Sequence, residues 1–387
     1  MADILFEIKV ENLETGLRGY PCGYCTTSFV DPQKGLFYME HPLVDLEKKE
    51  PIEVIYLLWN GREGSKQEVE AFNQELIKRS NCSPELIKYI RLLPRESHPM
   101  KLFTTALLLA HAFEGTDNYR EDGLNIIAKV PEIAAAVINY HAGWGESKPS
   151  QPELGYMENF VNMLNVPNVN KAELTRVLKL FNILHYDHGG GNLSCFVGKA
   201  IASGLEDMYG SLAGAMAALA GPRHGKANQD SLIFVQDLIK ELGDNVSEQK
   251  LEESIRRRLQ NNELVFGFGH AVLRVEDPRA TLLYKVASQY YPDIPLVKMS
   301  QLLRKVGSKV LKENPKISNP YANVDAVSGI LLTAAGFPYP EYYTVLFGMA
   351  RVVGIGRQIV YEREEARGGK GTPIVRPSYP FKQSRKN

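Results

Sequence analysis

The sequence is poor in the features that would assign it to a special class. Its 387 residues include four cysteines and two tryptophans, and 45 basic residues are balanced by 45 acidic ones. Four cysteines cannot make the bridge framework of a small secreted domain; they fit a reducing compartment, and the cytoplasm is the expectation. Zero formal net charge argues against a global attraction to nucleic acid or to a membrane surface. The longest small-apolar runs, such as Leu107 to Ala110 and Leu212 to Ala220, fall far short of the ~20 residues that span a bilayer. The opening MADILFEIKVENLETG carries early acidic residues and lacks the basic flank and apolar centre of a secretory signal. What remains is 44% hydrophobic and 23% charged, an ordinary globular composition. At roughly 100–200 residues per domain, the length suggests two or three domains or one large core with a satellite.

The first fifty residues read as strand and turn. Phe6 to Val10 alternates faces, and Phe29 to Tyr38 is interrupted by Asp31-Pro32 and Lys34-Gly35, both turn formers. Beyond them the punctuation is helical. Ser83-Pro84-Glu85 places a cap and a first-turn proline before a run stopped by Pro94, and Ser97-His98-Pro99 opens a run through Ala112. Asn170 caps Lys171 to Tyr186, Ser247 precedes a charged helix through Leu259, and Asp277-Pro278 opens Arg279 to Tyr291. Pro295 and Pro340 open two more helices, to Lys312 and to near Arg363. An all-α fold follows. The small-residue stretch Gly198 to Gly221 predicts a buried helix pair or a subunit interface, and the tail from Glu362 predicts an extended arm.

Several motifs lack the context their chemistry needs. Cys22-Gly-Tyr-Cys25 has no helix pattern after it for redox chemistry, and Cys82 and Cys195 stand alone rather than as a second zinc pair. Gly368-Gly-Lys-Gly-Thr372 lacks the phosphate-loop glycine at 364, and Gly354-Ile-Gly356 follows no strand. A metal-dependent hydrolase built on His185, Asp187 and His188 is a rival reading, but Ile183 stands where that motif needs another histidine.

Three glycine-set histidine loops carry the chemistry: Asp187-His188-Gly-Gly-Gly-Asn192, Gly221-Pro-Arg-His224-Gly-Lys-Ala-Asn228 and Gly267-Phe-Gly-His270. Glycine beside histidine lets a ligand approach the backbone and the imidazole. Then come Arg274, Asp277-Pro-Arg279 and Asn323-Val-Asp325. The order HYDHGGGN, AGPRHGKAN, GFGHAVLRVEDPRA, NVDAVSGILL, YYTVLFGMAR resembles citrate synthase from about residue 180 to 376. A weaker likeness covers Gly16 to Gly19 and Thr27 to Pro32.

The resemblance implies a two-domain all-α fold, with a large domain from 1–226 and 336–387, a small domain from 227–335, and the active-site cleft between them. It implies condensation of acetyl-CoA with oxaloacetate and water to citrate and CoA, the CoA thioester being a substrate and no cofactor or metal being required. Asp325 would be the base, His224 the donor to the thioester oxygen and His270 the donor to the oxaloacetate carbonyl. His188, Arg279 and Arg351 would hold the two carboxylates, with Arg376 reaching over from the neighbour in a homodimer. Planar guanidinium groups suit that task because they stay charged and pair carboxylates in bidentate fashion. Arg18, Arg274, Leu264, Val265 and Gly267 match the CoA-binding positions, and Arg120 is a candidate for a further phosphate arginine. The nearest rival on the same scaffold is 2-methylcitrate synthase, which takes propionyl-CoA.

Two pressures act on Asp325. As a helix cap it would have a lowered pKa, whereas burial in a closed site would raise it. Arg223 and Lys226, where the family often has small or apolar residues, are expected to lower the pKa of His224.

Overall fold

The computed structural model describes residues 4–381. Near the N-terminus a hairpin forms where the turn residues demand it. β1 (Ser28–Asp31) pairs antiparallel with β2 (Gly35–Tyr38), Ser28 opposite Tyr38, and β3 (His41–Pro42) adds to β2. Phe6 to Val10 is not a strand: it has no strand to pair with, and its side chains are exposed except where Phe6 lies against Tyr20 with ring centroids 4.6 Å apart. A lone extended segment has no ladder to join, so alternation alone did not decide it.

Helices make up most of the rest. In chain order they are α1 (Pro51–Asn60), α2 (Lys66–Arg79), α3 (Pro84–Ile90), α4 (Pro99–Glu114), α5 (Tyr119–Ala142), α6 (Tyr156–Met163), α7 (Lys171–His185), α8 (Leu193–Ala202) and α9 (Met208–Leu219). They continue as α10 (Ala227–Leu242), α11 (Glu248–Gln260), α12 (Pro278–Tyr290), α13 (Pro295–Leu311), α14 (Asp325–Ala334) and α15 (Tyr343–Val360). The expected caps form. Ser83, Asn170, Ser247 and Asp277 side chains accept from N–H groups of the first turns that follow them. α5 was not legible as one helix, because Pro131 lies inside it. No helix among the described residues is long and apolar enough to cross a membrane.

The helix that organises the site is α15. From Tyr343 to Val360 every side chain but Arg357 is buried, so the helix is enclosed on all sides and runs through the core. It packs against α1, α5, α7, α8 and α9. α8 and α9 are the buried pair that the small residues predicted: a Cβ on Gly198 would stand 3.2 Å from the Ser211 carbonyl oxygen. α10 packs on α13 and α14, α11 on α13, and α12 on α14. The helix after Pro340 does not release the chain at Glu362. A π turn extends it to Glu365, and the buried Glu362 pairs with Lys199 at 3.0 Å. The extended arm begins near Thr372, where the Val375 N–H donates to Ser203 Oγ at 2.9 Å.

The backbone of α15 meets the loop after α7 at Gly354. The Gly354 N–H donates to the Tyr186 carbonyl at 3.0 Å, and a Cβ there would lie 2.5 Å from Asp187 Cγ. Gly354→Ala must displace that carboxylate and is expected to cost about 1–3 kcal/mol in urea unfolding. Gly356→Ala, whose Cβ would meet nothing closer than Met208 Sδ at 3.9 Å, is the control and should be neutral or stabilising. Equal stabilities for the two variants would remove the claim that this contact is tight.

Candidate active site

The loop 187–192 is fixed from beneath by one carboxylate. Asp187 is fully buried and accepts from Thr27 Oγ1, from Ser28 Oγ at 2.7 Å, from Gln358 Nε2 at 2.9 Å and from the His188 N–H at 2.9 Å. Tyr38 adds its hydroxyl, which accepts from the Asp187 N–H at 3.0 Å and donates to the Ile183 carbonyl at 2.9 Å. The hairpin, α7 and α15 therefore meet beneath His188. Of these supports, sequence reasoning singled out only Asp187, and for a different role. Their signal was a cluster of polar residues in otherwise apolar elements.

His188 faces the start of α12. Its Nε2 lies 3.3 Å from Arg279 Nη2, and its ring centroid is 5.4 Å from that of His270. Arg279 is buried and held by Asp277, whose carboxylate accepts from Nε at 3.1 Å and Nη2 at 2.7 Å while also capping the helix through the Arg279 N–H. Asp277 thus serves as both cap and counter-ion. His270 Nδ1 accepts from the Val272 and Leu273 N–H groups at 3.0 and 2.9 Å. Its proton is accordingly on Nε2, which has no protein partner among the described residues.

Arg351 is 1% exposed, yet no carboxylate pairs with it among the described residues. Its Nε donates to the His185 carbonyl at 2.8 Å, and its guanidinium carbon lies 4.7 Å from the Phe347 ring centroid. His224 meets the same ring in a T-shaped contact, 6.4 Å between centroids. His224 Nε2 lies 3.3 Å from the Ser194 N–H, which can only donate to it, and 2.9 Å from Ser194 Oγ, a contact whose direction depends on the tautomer. With Nε2 as acceptor the proton is on Nδ1, which has no protein partner among the described residues. His224 is held down to about 4, by burial first and then by Arg351. Arg223 is exposed and Lys226 pairs with Asp230 at 3.2 Å, so the expected lowering arises from Arg351 and not from these two. His270 is also lowered to about 4, by burial and then by Arg279; His188 moves down for the same reasons. All three imidazoles are neutral at pH 7.

Asp325 resolves the competition between capping and burial. It is the first residue of α14 rather than its cap, and its side chain makes no capping bond. Its Oδ1 is buried without a hydrogen-bond partner. Burial raises its pKa to about 7 against the pull of Arg279 and Arg351. Asn323 joins this acid to the His270 loop: Oδ1 accepts from the Asp325 N–H at 3.0 Å and Nδ2 donates to the Gly269 carbonyl at 2.9 Å. Gly267, at φ +83°, allows the closest approach, since a Cβ there would stand 2.8 Å from Ala326 Cα. The structure thus links His188, His270, Arg279, Arg351, His224 and Asp325 through direct contacts, the shared Phe347 ring or the fields of the two arginines.

The remaining candidates are more peripheral. Leu264, 71% exposed, and half-buried Val265 precede Gly267 on the same loop. Arg274 is exposed, donating to the Val272 and Leu273 carbonyls at 2.9 Å, while its N–H donates to the Pro32 carbonyl at 2.8 Å. Arg18 and Arg376 are exposed on the two terminal segments, away from these contacts. Arg120 is committed elsewhere, to Glu364 at 3.1 Å and Glu365 at 2.7 Å. The residues of the rival metal reading do not converge. Asp187 is saturated as described, His185 Nδ1 faces the Phe181 carbonyl at 2.6 Å, and His188 lies against a guanidinium. Among the described residues, no group of three or more His, Cys, Asp or Glu side chains could hold a metal. Cys22 and Cys25 are free thiols.

Comparison with known proteins bears on the chain as a whole. Residues 16–378 match the family model for the citrate synthase C-terminal domain. The chain is 34% identical to citrate synthase 4, mitochondrial, of Arabidopsis thaliana, over 93% of this chain and 80% of that one. It is 34% identical to the mitochondrial citrate synthase of Daucus carota, over 96% and 82%. Among solved structures, citrate synthase of Thermotoga maritima superposes with a TM-score of 0.81 at 26% identity, covering 97% of both chains. That of Thermoplasma acidophilum, in ternary complex with carboxymethyl coenzyme A and oxaloacetate, superposes with a TM-score of 0.83 at 25% identity, over 97% and 98%.

The raised pKa of Asp325 makes a stability prediction. The folded protein keeps on this carboxyl a proton that the unfolded chain releases between its ordinary 3.8 and about 7. Its contribution to stability therefore falls as pH rises through that window. Asp325→Asn should melt at a higher temperature than the unsubstituted protein at about pH 8, with the difference vanishing below about pH 4. A lower melting temperature at pH 8 would place the carboxylate in a favourable rather than a costly setting.

Proposed function

The chain belongs to the citrate synthase family, and from that premise we propose that it condenses acetyl-CoA with oxaloacetate and water to give citrate and CoA. The observation that carries the reading is a carboxyl raised to about 7, with one buried oxygen left without a partner, joined through Asn323 to the loop of one of two neutral imidazoles that each keep a ring nitrogen free of protein partners among the described residues. A thioester methyl group is a very weak acid. A base gains from a pKa near the working pH, and the enolate oxygen must receive a hydrogen bond as it gains charge. Asp325 takes the methyl proton while His224 donates Nδ1–H to the thioester oxygen. The new carbon nucleophile attacks the oxaloacetate ketone, whose oxygen accepts from His270 Nε2–H. Water then hydrolyses the product thioester and releases CoA.

Oxaloacetate brings two carboxylates next to an acid that must ionise. His188, Arg279 and Arg351 hold them, and Arg351 supplies a charge with no ion-pairing carboxylate among the described residues. Arg376, from the neighbouring subunit of a homodimer, completes the clamp. Arg18, Arg274 and the Leu264–Gly267 segment receive CoA. The cleft lies between a large helical domain, 1–226 with 336–387, and a small one, 227–335. Closing it would keep water from the thioester until the carbon–carbon bond exists. We take the enzyme to act in the cytoplasm.

Thiol release tests the reaction. Acetyl-CoA should release CoA only when oxaloacetate is present, and faster than propionyl-CoA does. Faster turnover of propionyl-CoA would make the enzyme a 2-methylcitrate synthase, and release independent of oxaloacetate would end the condensation reading. One methylene is worth only ~1–3 kcal/mol of discrimination, so both thioesters must be measured side by side. The rate should fall tenfold per pH unit below about 7 as Asp325 takes up its proton; an acid limb near 4 would assign it to the histidines instead. Subunit sharing has its own test. Mixing Asp325→Asn with Arg376→Ala should create hybrid dimers with one intact site and restore activity that neither variant has alone. No recovery after demonstrated subunit exchange would confine each site to one chain.

A further inference from the structure

Away from the histidine loops, a cavity of about 700 Å³ opens between α7 and the C-terminal end of α12. Its charges do not balance. Lys179 bridges Glu50 at 2.7 Å and Glu158 at 2.5 Å, and Lys49 pairs outward with Glu63 at 3.0 Å. Lys48, Lys171 and Arg176 also line the cavity, and none of them has a carboxylate within ion-pair distance among the described residues. Lys179 offsets only one of its two glutamates, so these three cations face Glu47 and one further negative charge, which leaves a surplus of one positive charge.

The geometry around Arg176 narrows the ligand. Its guanidinium carbon lies 3.7 Å from the Tyr290 ring centroid, making a flat cationic face on an aromatic one. Nη2 donates to the Tyr291 hydroxyl at 3.3 Å, while Nε is buried without a partner. The Lys171 ammonium donates to Asn162 Oδ1 at 3.4 Å, and Asn162 Nδ2 is a second buried donor without a partner. Burial and Lys148 lower the pKa of Lys171, as expected for a cation with no counter-charge. Leu180, Val286 and Tyr290 supply apolar wall. Two unmet donors and a surplus positive charge, against one unmet acceptor at Glu158 Oε2, call for an anion with several acceptor oxygens, and the apolar wall calls for a flat hydrophobic body attached to it.

We propose that this cavity binds an aromatic phosphate and that its occupancy is coupled to oxaloacetate binding. The coupling follows from which helices it joins. At one end His188, just past α7, meets Arg279 of α12 at 3.3 Å; at the other, Arg176 of α7 meets Tyr290 of α12. The two helices are thus antiparallel and pinned at both ends, and a ligand across the Arg176 end holds α12 where Arg279 faces His188. The coupling half of this inference rests on the oxaloacetate site proposed above; the binding half does not.

Calorimetry with phenyl phosphate tests both. The full-length protein should bind it saturably with a Kd of about 1 mM or tighter, which is reasonable for so small a ligand. Arg176→Ala should weaken binding by about tenfold, the loss expected for a charge-assisted contact. Tyr290→Leu, which keeps the charges, should reduce the preference for phenyl phosphate over inorganic phosphate. Absence of saturable heat, or equal binding by both variants and the parent, overturns the site. Equal binding of inorganic and phenyl phosphate overturns the aromatic specificity. Oxaloacetate affinity, measured calorimetrically, should rise about fivefold or more in saturating phenyl phosphate, the lower range of common couplings. Unchanged affinity overturns the coupling. Failure of oxaloacetate to bind at all would instead count against the proposed function, because the phenyl phosphate titrations do not depend on it.

Discussion

A guanidinium buried in a helical core, with no ion-pairing carboxylate among the described residues, is the constraint on which the rest of this structure depends. Arg351 lies in the middle of α15, 1% exposed, with one carbonyl as hydrogen-bond acceptor and one aromatic face for company. Such a charge is costly to keep unless something neutralises it. The nearby acid, Asp187, is turned instead toward Thr27, Ser28 and Gln358 and supports the backbone under His188. Arg279, by contrast, carries its own counter-ion in Asp277. The pair therefore presents one compensated and one uncompensated cation, and the uncompensated one is left to an anionic ligand.

The same field sets the protonation states around it. Burial and the two arginines keep His188, His224 and His270 neutral, so each ring has a single proton whose position its neighbours dictate. Ser194 directs one ring and the Val272–Leu273 backbone another. Burial alone would leave Asp325 far above the carboxylate range, and the arginines draw it back to about 7. A bound dianion would cancel part of that pull, so ligand binding and the strength of the base are linked by electrostatics rather than by contact.

Much of this was legible in the chain, for physical reasons that differ by residue. Caps at Ser83, Asn170, Ser247 and Asp277 announce themselves locally, because a side-chain oxygen and the N–H groups it accepts from lie within three residues. The glycines at 267 and 269 were read as room for a ligand, whereas the structure uses them to pack the loop against Ala326 and the Tyr321 carbonyl. Helix α5 was hidden by Pro131, whose surroundings outweigh its local preference. Phe6 to Val10 misled because alternation specifies a face but not a partner strand. The role of Asp325 could not be decided locally, since its pKa depends on Arg279 and Arg351, which are distant in sequence. The supports of His188 were missed for the same reason: Thr27 and Gln358 reach Asp187 across 160 and 171 residues.

The most direct test of this account is the thermal unfolding of Arg351→Met, with and without oxaloacetate and no acyl-CoA present. The account predicts that the variant, freed of its buried charge, unfolds at a higher temperature than the parent protein when neither has ligand, and that added oxaloacetate raises the midpoint of the parent but scarcely that of the variant. An oxaloacetate-induced rise of equal size in both proteins would contradict it.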